Sequence, residues 1–307
     1  HQPLRPLVPH GERAAELRAI ARDDERAARD ERRLLNRLRA DLMAVNPAAL
    51  RFAGEDLGAP TLLKLLERWP TQQALAAAGE DELEAFFRAA HHGFPARALR
   101  RLREALAASH FAPRPHLVRA KEATVRLACS QLLLLHAQRR AWERRMGVLL
   151  AALPEAGWEA EGERLPGGEV YRSFPGLGAR LAARVAGEIG DSPWQFGTPN
   201  SLACYAGKAP VTRRSGKSEL VVACRLACNR HLSTAVQQWA FCSLRASGWA
   251  RAFYDAQRAR GKGHHAALRA LGNRWLEVLW HCLRKGERYD EATHLANRER
   301  ALGRAAA

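Results

Sequence analysis

One long apolar stripe constrains the fold of this 307-residue chain more than any other feature. Between residues 118 and 153, apolar side chains recur at heptad spacing and are interrupted only by Lys121 and Arg139. The stripe consists of Val118, Val125, Ala128, Leu132, Leu135, Trp142, Met146, Leu149 and Leu153. This pattern predicts one helix of about 36 residues, roughly 54 Å long at 1.5 Å per residue.

A second stripe precedes it in the densely charged segment 11–45. Its apolar positions are Ala28, Leu35, Leu38, Leu42 and Val45. Asn46-Pro47 ends this helix, because proline disfavours helical geometry in the residue before it. Start and stop signals then predict four short helices, Thr61–Trp69, Thr71–Ala78 with Thr71 as the cap, Glu80–Ala90 and Pro95–Ala108.

Together these patterns predict a mainly α fold. Residues 1–153 form a long antiparallel, coiled-coil-like helical arm with inserted short helices, and 154–170 form a linker rich in Gly, Glu and Pro. Residues 171–290 form a compact helical domain with a small β-hairpin around Ser215, followed by a tail at 291–307. Such an arm serves either to join subunits into a homo-oligomer or to build an intramolecular bundle, and the pattern leaves both open.

The charge of the chain points to nucleic acid. The formal net charge is +17 and the pI is about 10.7. This excess favours a polyanionic partner, with an anionic membrane surface or a merely basic soluble protein as alternatives. Neither a long apolar run nor a signal peptide is evident, and the six cysteines are widely spread. We therefore expect a cytoplasmic, nucleoid-associated protein with free thiols and no membrane partner.

A glycine-containing turn opens the predicted compact domain. Gly176 and Gly178 precede an apolar-periodic helix from Ala179 to Ile189. Backbone N–H groups of such a turn can hold a DNA phosphate, although an ordinary tight turn before a helix explains the same residues.

The densest polar cluster surrounds Ser215. Arg213, Arg214 and Lys217 are its neighbours in the sequence, and Lys208 lies just upstream. A serine hydroxyl that attacks a phosphodiester needs its developing negative charge balanced, and cations beside it can do this. From the chemistry alone, the same run also fits a loop that only contacts phosphates.

Three further groups of residues are candidates for metal binding, for DNA contact or for the core. Cys224, Cys228 and His231 have a spacing that could bind zinc but lack a fourth ligand, so thiols without a metal are preferred. His264 and His265 start a predicted helix and suggest solvent or DNA-backbone contact. The aromatic side chains Trp239, Phe241, Trp249, Phe253, Trp275 and Trp280 recur in amphipathic segments and are expected in the core.

The segment from Ser173 to Asp290 resembles the transposase domain of serine-using, DEDD-type insertion-sequence transposases. This family includes pilin-gene invertases and bridge-RNA-guided recombinases. The resemblance rests on SFPGLG at 173–178, AGEIGD ending at Asp191, LACYAGKAPVTRRSGKS at 202–218, ACNRHL at 227–232 and the segment 254–290. It implies a DNA recombinase in which Ser215, after Pro210, becomes covalently joined to DNA, guided by a structured RNA.

The resemblance also implies a RuvC-like domain with four acidic residues that hold a divalent metal, Mg²⁺. This chain is expected to begin after that domain, to bind no cofactor itself and to be incomplete for catalysis. Asp23, Asp24 and Asp30 lie in a helical charge pattern and are not expected to be metal ligands. The alternative function is a nucleic-acid-binding remnant, or an architectural DNA-binding protein, without chemistry.

Overall fold

The protein is mainly α-helical in a computed structural model, which confirms the predicted fold class. The structure describes residues 9–108, 114–160, 162, 164–215, 218–222 and 225–306, and only the backbone at 212–222 and 301–306. The elements of the first half are α1 (Glu12–Val45), α2 (Pro47–Ala53), α3 (Pro60–Arg68), α4 (Gln72–Ala77), α5 (Glu80–Ala89), α6 (Pro95–Ala107) and α7 (Pro115–Ala151). Those of the second half are α8 (Gly167–Arg172), α9 (Ala179–Ile189), α10 (Pro199–Tyr205), β1 (Val211–Ser215), β2 (Ser218–Val222), α11 (Arg230–Ser243), α12 (Gly248–Ala259), α13 (His264–Lys285) and α14 (Glu291–Ala306).

The chain divides into two compact units. One contains residues 24–141 and the other contains residues 1–23 together with 142–307. This division differs from the predicted boundaries at 153 and 171, because the first turns of α1 pack with the C-terminal half. Ala14, Leu17 and Ala21 of α1 belong to the same apolar core as α9, α11 and α13.

The unit 24–141 has a core of its own. Leu38, Leu42 and Val45 of α1 are fully buried with Val125 and Leu132 of α7. The four predicted short helices are present, each with its bounds within one residue of the prediction.

The short helix α2 is absent from the predictions. Proline does end α1 as expected, but Pro47 also occupies the first turn of α2, where its missing N–H costs nothing. Asn46 caps this helix by accepting a hydrogen bond from the Ala49 N–H at 3.1 Å. One Asn-Pro pair therefore ends one helix and begins the next.

The two polar interruptions in the apolar stripe of α7 are paired with acids of α1. Lys121 Nζ lies 2.8 Å from the Asp41 carboxylate. Arg139 Nε lies 2.8 Å from Asp24, and its NH1 contacts Glu31. Within this unit α1 and α7 therefore run antiparallel, and their partly buried charges are compensated.

The other unit is built around aromatic side chains. Trp239 and Trp275 stack with ring centroids 5.4 Å apart, and Phe174 packs edge-on against both. Trp249 and Trp280 are also buried, as predicted, whereas Phe241 is 50% exposed. Polar atoms in this core are used: Trp275 Nε1 donates to Ser243 Oγ at 2.9 Å.

The segments predicted as a linker and a tail are packed against this unit where they are described. The Ala156 N–H donates to the Leu165 carbonyl and the Gly157 N–H to the Leu283 carbonyl. Helix α8 begins at Gly167, which is buried. In α14, the His294 ring lies against Trp249 with centroids 4.5 Å apart. Composition alone gave no sign of these contacts.

The described residues also contain two short strands. Strands β1 and β2 pair antiparallel, with Val211 opposite Val222 and Ser215 opposite Ser218. Residues 216 and 217 lie outside the described part of the chain, so the hairpin turn predicted there stays a prediction. None of the helices in the described residues is long and apolar enough to cross a membrane.

Candidate functional site

Ser215 is the last residue of β1 and faces Ser218, the first residue of β2, across the strand pair. In the same register, Arg213 pairs with Leu220 and Arg214 with Glu219. The side chains of this segment, and Lys217 altogether, lie outside the described residues. The backbone therefore places Ser215 at the end of the two paired strands, residues 211–215 and 218–222, which we call the projection. The contacts of Ser215 with the predicted cations stay a prediction.

The two ends of this projection meet at its base. The Asn229 N–H donates to the Tyr205 carbonyl at 2.8 Å, which joins the start of α11 to the end of α10. Gly207 has φ +66°, and a Cβ placed there would lie 2.6 Å from Cys228 Sγ. Because only glycine fits this approach without strain, the chain entering β1 is held against the chain that leaves β2.

Lys208 is directed into the protein at this base. Its side chain is 5% exposed, and Nζ donates to Gln237 Oε1 of α11 at 3.0 Å. Gln237 in turn donates to the His265 carbonyl. This placement favours an anchoring role for Lys208, and the phosphate contact predicted for it stays a prediction.

The two glycines of the predicted phosphate turn differ in their surroundings. Gly176 has φ +80°, and a Cβ there would lie 2.6 Å from the Ser243 backbone nitrogen of α11. The turn is also tied down by Trp239 Nε1, which donates to the Pro175 carbonyl. Gly178 is exposed at the start of α9, and a Cβ placed there would meet no other described residue within 4 Å. Packing explains Gly176, whereas Gly178 is accessible to a phosphate.

A buried carboxylate lies beside the base of the projection. Glu188 of α9 is 3% exposed and accepts two hydrogen bonds from Arg22, at 2.7 and 2.9 Å. Arg18 Nε lies 3.5 Å away, and Asn229 Nδ2 donates to the same carboxylate at 2.7 Å. Burial raises the pKa of Glu188, but these hydrogen bonds and charges outweigh it and hold the pKa below its usual value.

One side of α11 is exposed and bears polar and aromatic groups. We call it the α11 face; it consists of Arg230, Thr234, Gln238 and Phe241 of α11 and of Arg245, which lies in the turn just after the helix. The spacing of three or four residues places the four helical residues in one row along α11. Arg184 of α9 donates to Gln238 at 2.8 Å, and the His264 ring lies 6.2 Å from Phe241. The row begins next to Asn229, at the base of the projection.

The sequence around this face is strongly basic. From Ser192 to Lys262 there are eleven Lys and Arg residues but only two acidic residues, Glu219 and Asp255. This stretch therefore carries a net charge of +9 out of the +17 of the whole chain. The segment that contains Ser215 and the α11 face is thus positively charged, which suits contact with a polyanion.

Metal binding finds no support in the described side chains. No three His, Cys, Asp or Glu residues lie close enough together there to hold a metal ion. The side chain of Cys224 is outside the described part, so the zinc spacing with Cys228 and His231 is untested. The resemblance implies Mg²⁺ in the RuvC-like domain and not in these residues, and we assign no reaction step to a metal held by them.

Comparison with known proteins identifies the family. The family model described as Transposase IS116/IS110/IS902 family matches residues 168–255. The uncharacterized 43.6 kDa protein of insertion element IS110 from Streptomyces coelicolor is 33% identical over 288 residues, which is 94% of this chain and 67% of that protein. The chain belongs to the IS116/IS110/IS902 transposase family.

Two further relatives match the chain over shorter stretches. The protein assigned as the mini-circle transposase for IS117 of Streptomyces coelicolor is 46% identical over 123 residues, 40% of this chain and 30% of that protein. The uncharacterized 42 kDa protein of IS900 from Mycobacterium paratuberculosis is 36% identical over 128 residues, 42% of this chain and 32% of that protein. Each of these two matches thus spans less than a third of the relative.

The family match, 168–255, includes Ser215, Glu188, Asn229 and the α11 face. Analysis of the sequence singled out Ser215 but missed Glu188 and Asn229. Two signals were present: a lone acid in the apolar helix Ala179–Ile189, and an asparagine directly before a helix. Neither indicated that the two residues would meet.

Proposed function

We propose that this chain acts on DNA in the transposition of an insertion sequence and that Ser215 is the nucleophile. The observation that carries the proposal is the position of Ser215 at the end of β1, inside both the family match and the stretch of net charge +9. The assignment of the IS117 relative as a transposase supports the same activity.

The reaction follows from serine and phosphodiester chemistry. The Ser215 oxygen forms a bond to phosphorus, and the bond between phosphorus and one deoxyribose oxygen breaks. The serine proton is transferred to a base, and the leaving oxygen takes up a proton to become a hydroxyl group. The product is a serine–DNA phosphodiester, which a DNA hydroxyl later attacks to rejoin the strand and release the serine.

The cations near Ser215 have a defined task in this proposal. Attack places additional negative charge on the phosphoryl oxygens, and Arg213, Arg214 and Lys217 are proposed to stabilise it. Arg230 and Arg245 of the α11 face hold the flanking DNA backbone. Gly178, which is exposed, is proposed as a backbone contact for a phosphate.

Substitution of Ser215 tests the chemistry. Because a RuvC-like domain is part of the proposal, the assay supplies that domain from a family member together with the chain, and uses a nicked DNA that traps a covalent adduct. Ser215→Ala should abolish the adduct and leave DNA affinity within about twofold. Ser218→Ala is the matched control, since Ser218 faces Ser215 in the strand register, and it should retain the adduct.

The outcome of this assay separates catalysis from binding alone. If the unsubstituted protein binds DNA but forms no adduct, the chain is a DNA-binding module without chemistry. If Ser215→Ala still forms the adduct, another residue is the nucleophile. Replacing Arg213 and Arg214 together with Ala should lower the salt dependence of DNA binding, and an unchanged slope would remove them from the interface.

The family resemblance extends the proposal to a guide RNA. A structured RNA would meet the same requirement for a basic surface, because the phosphate backbone dominates affinity for either nucleic acid. Sequencing of RNA that co-purifies with the full chain tests this extension. A single structured RNA encoded beside the gene supports it, and random cellular RNA of the same yield contradicts it.

Self-association is proposed through the arm. Leu127 and Leu134 of α7 lie seven residues apart and are 58% and 72% exposed, which gives the helix a second apolar row. Replacing both with Glu should convert an oligomer into a monomer in sedimentation equilibrium. Gln138→Glu, also exposed on α7, is the control and should leave the oligomer intact.

A further inference from the structure

The base of the projection that carries Ser215 depends on one side chain. Besides accepting the helical hydrogen bond from the Ser233 N–H, Asn229 makes four further hydrogen bonds. Its N–H binds the Tyr205 carbonyl, its Oδ1 accepts from the Leu232 N–H, and its Nδ2 donates to the Tyr205 hydroxyl at 2.8 Å and to Glu188 at 2.7 Å. It therefore fixes the end of α10, the start of α11 and a carboxylate of α9 relative to one another.

The partner carboxylate is itself held rigidly. Glu188 receives the two Arg22 hydrogen bonds and lies 3.5 Å from Arg18, and a Cβ at the neighbouring Gly187 would lie 3.0 Å from the Arg18 Cα. The α1 and α9 backbones thus approach closely at this point, which leaves the carboxylate little freedom to move. A buried, fully hydrogen-bonded ion pair resists displacement because breaking it leaves an uncompensated charge.

We propose that Asn229 and Glu188 are positioning residues that fix Ser215 at the phosphodiester without touching DNA. This inference rests on the proposed function of Ser215. Ser215 lies ten positions after Tyr205 along the chain, so a small rotation at the base causes a larger displacement at the end that carries Ser215. Because attack requires the reacting atoms at close to van der Waals distance and in line, such a shift lowers the rate of attack more than it lowers DNA affinity.

Asn229→Asp is the sharpest test. It keeps an oxygen that can cap α11 but removes both Nδ2 donors and places a second carboxylate beside Glu188. We expect the rate of adduct formation at saturating DNA to fall at least tenfold, while the DNA dissociation constant changes less than twofold. Asn229→Ala, which also loses the cap, should lower the thermal stability in addition.

A double substitution provides the rescue. In Glu188→Gln with Asn229→Asp, the amide is at position 188 and the carboxylate at position 229, so a donor again faces an acceptor and one negative charge remains near Arg22. We expect this variant to recover much of the adduct rate that Asn229→Asp loses. Because the adduct rate is expressed per folded protein, its recovery reports the position of Ser215 and not the amount of folded protein.

The matched control is Asp24→Asn. Asp24, like Glu188, is a buried carboxylate paired with an arginine, here Arg139, but it belongs to the other compact unit. It should lower stability and leave the adduct rate of the folded protein unchanged. An adduct rate that falls equally in Asp24→Asn and Asn229→Asp, or that does not fall in Asn229→Asp, overturns the inference.

Hydrogen exchange separates this inference from the proposed chemistry. In the DNA-free chain, Asn229→Asp should speed amide exchange in residues 205–215 while exchange in the middle of α13 stays unchanged. If the unsubstituted protein forms no adduct, the role of Ser215 fails, and the exchange result still decides whether Asn229 holds the projection. Unchanged exchange at 205–215 refutes the positioning role by itself.

Discussion

The Arg139 guanidinium meets the Asp24 carboxylate at 2.8 Å, and both side chains are largely shielded from solvent. A second carboxylate, Glu31, contacts the same guanidinium and also lies 2.9 Å from His136 Nε2. In the sequence, Arg139 is a charged residue that interrupts an apolar stripe. In the structure it is the cation that compensates two acids of α1 within the unit 24–141.

Arg139→Met is expected to destabilise this unit although it improves the apolar stripe. It leaves Asp24 and Glu31 without their cation in a poorly solvated site, and we expect a loss of about 2–3 kcal/mol in the free energy of unfolding. Urea denaturation measures the change. Arg140→Met, at the next and exposed position of α7, should cost less than about 0.5 kcal/mol. Equal effects of the two substitutions would contradict the importance of the ion pair.

Gly176→Ala is expected to be far more damaging than Gly178→Ala. The first introduces a methyl group 2.6 Å from the Ser243 nitrogen at φ +80° and should cost about 2–4 kcal/mol. The second adds a methyl group in open space at φ −66° and should cost less than about 1 kcal/mol. Thermal unfolding of both variants tests the ranking, and a reversed order would mean that Gly176 is not packed against α11.

Neutralising the α11 face should weaken DNA binding in a salt-dependent way. With Arg230 and Arg245 both replaced by Gln, the slope of log affinity against log salt should fall by about 1–2, since each lost phosphate contact removes about 0.9. Fluorescence anisotropy with a labelled duplex at several salt concentrations gives the slope. Arg251→Gln is the control, because Arg251 is paired with Asp255 on α12. If only the control changes the slope, DNA lies on another face.

Acid should remove the contribution of Glu188 to stability. Its pKa is lowered on folding, so the stabilisation is fully present above the usual value near 4.5 and declines as the pH falls below that value through the folded-state pKa. The difference in free energy of unfolding between the unsubstituted protein and Glu188→Gln should therefore be constant from pH 7 to about 5 and shrink at lower pH. A difference that grows on acidification would show that the pKa is raised instead.

Much of the fold could be predicted because helices are specified locally. The bounds of α9 agree with the prediction from apolar spacing, and Thr71 caps α4 as its position before an apolar run indicates. The tryptophans predicted in the core are buried, because their spacing places them on the apolar sides of these helices. Helix α2 was missed because one proline both ends a helix and starts the next.

The site was less predictable because its contacts are distant in sequence. Glu188 binds Arg22 across 166 positions, and no local pattern reports such a pair. No local pattern around Lys208 indicated that its ammonium group binds Gln237 inside the protein. Charge and residue type indicated the chemistry of this region, while the direction of each side chain depends on tertiary packing.

Because the first turns of α1 belong to the C-terminal unit, that unit cannot be expressed as one continuous C-terminal fragment without losing part of its core. An expression fragment cut at residue 168, where the family match begins, would keep Ser215 and lose Leu17, Arg18 and Arg22. Its Glu188 would then lack the two arginines that pair with it, and part of the apolar core would face water. Joining residues 9–23 through a flexible tether to a fragment that begins at residue 142 would keep the whole of this unit, because Met146, Leu149 and Leu153 belong to the same core.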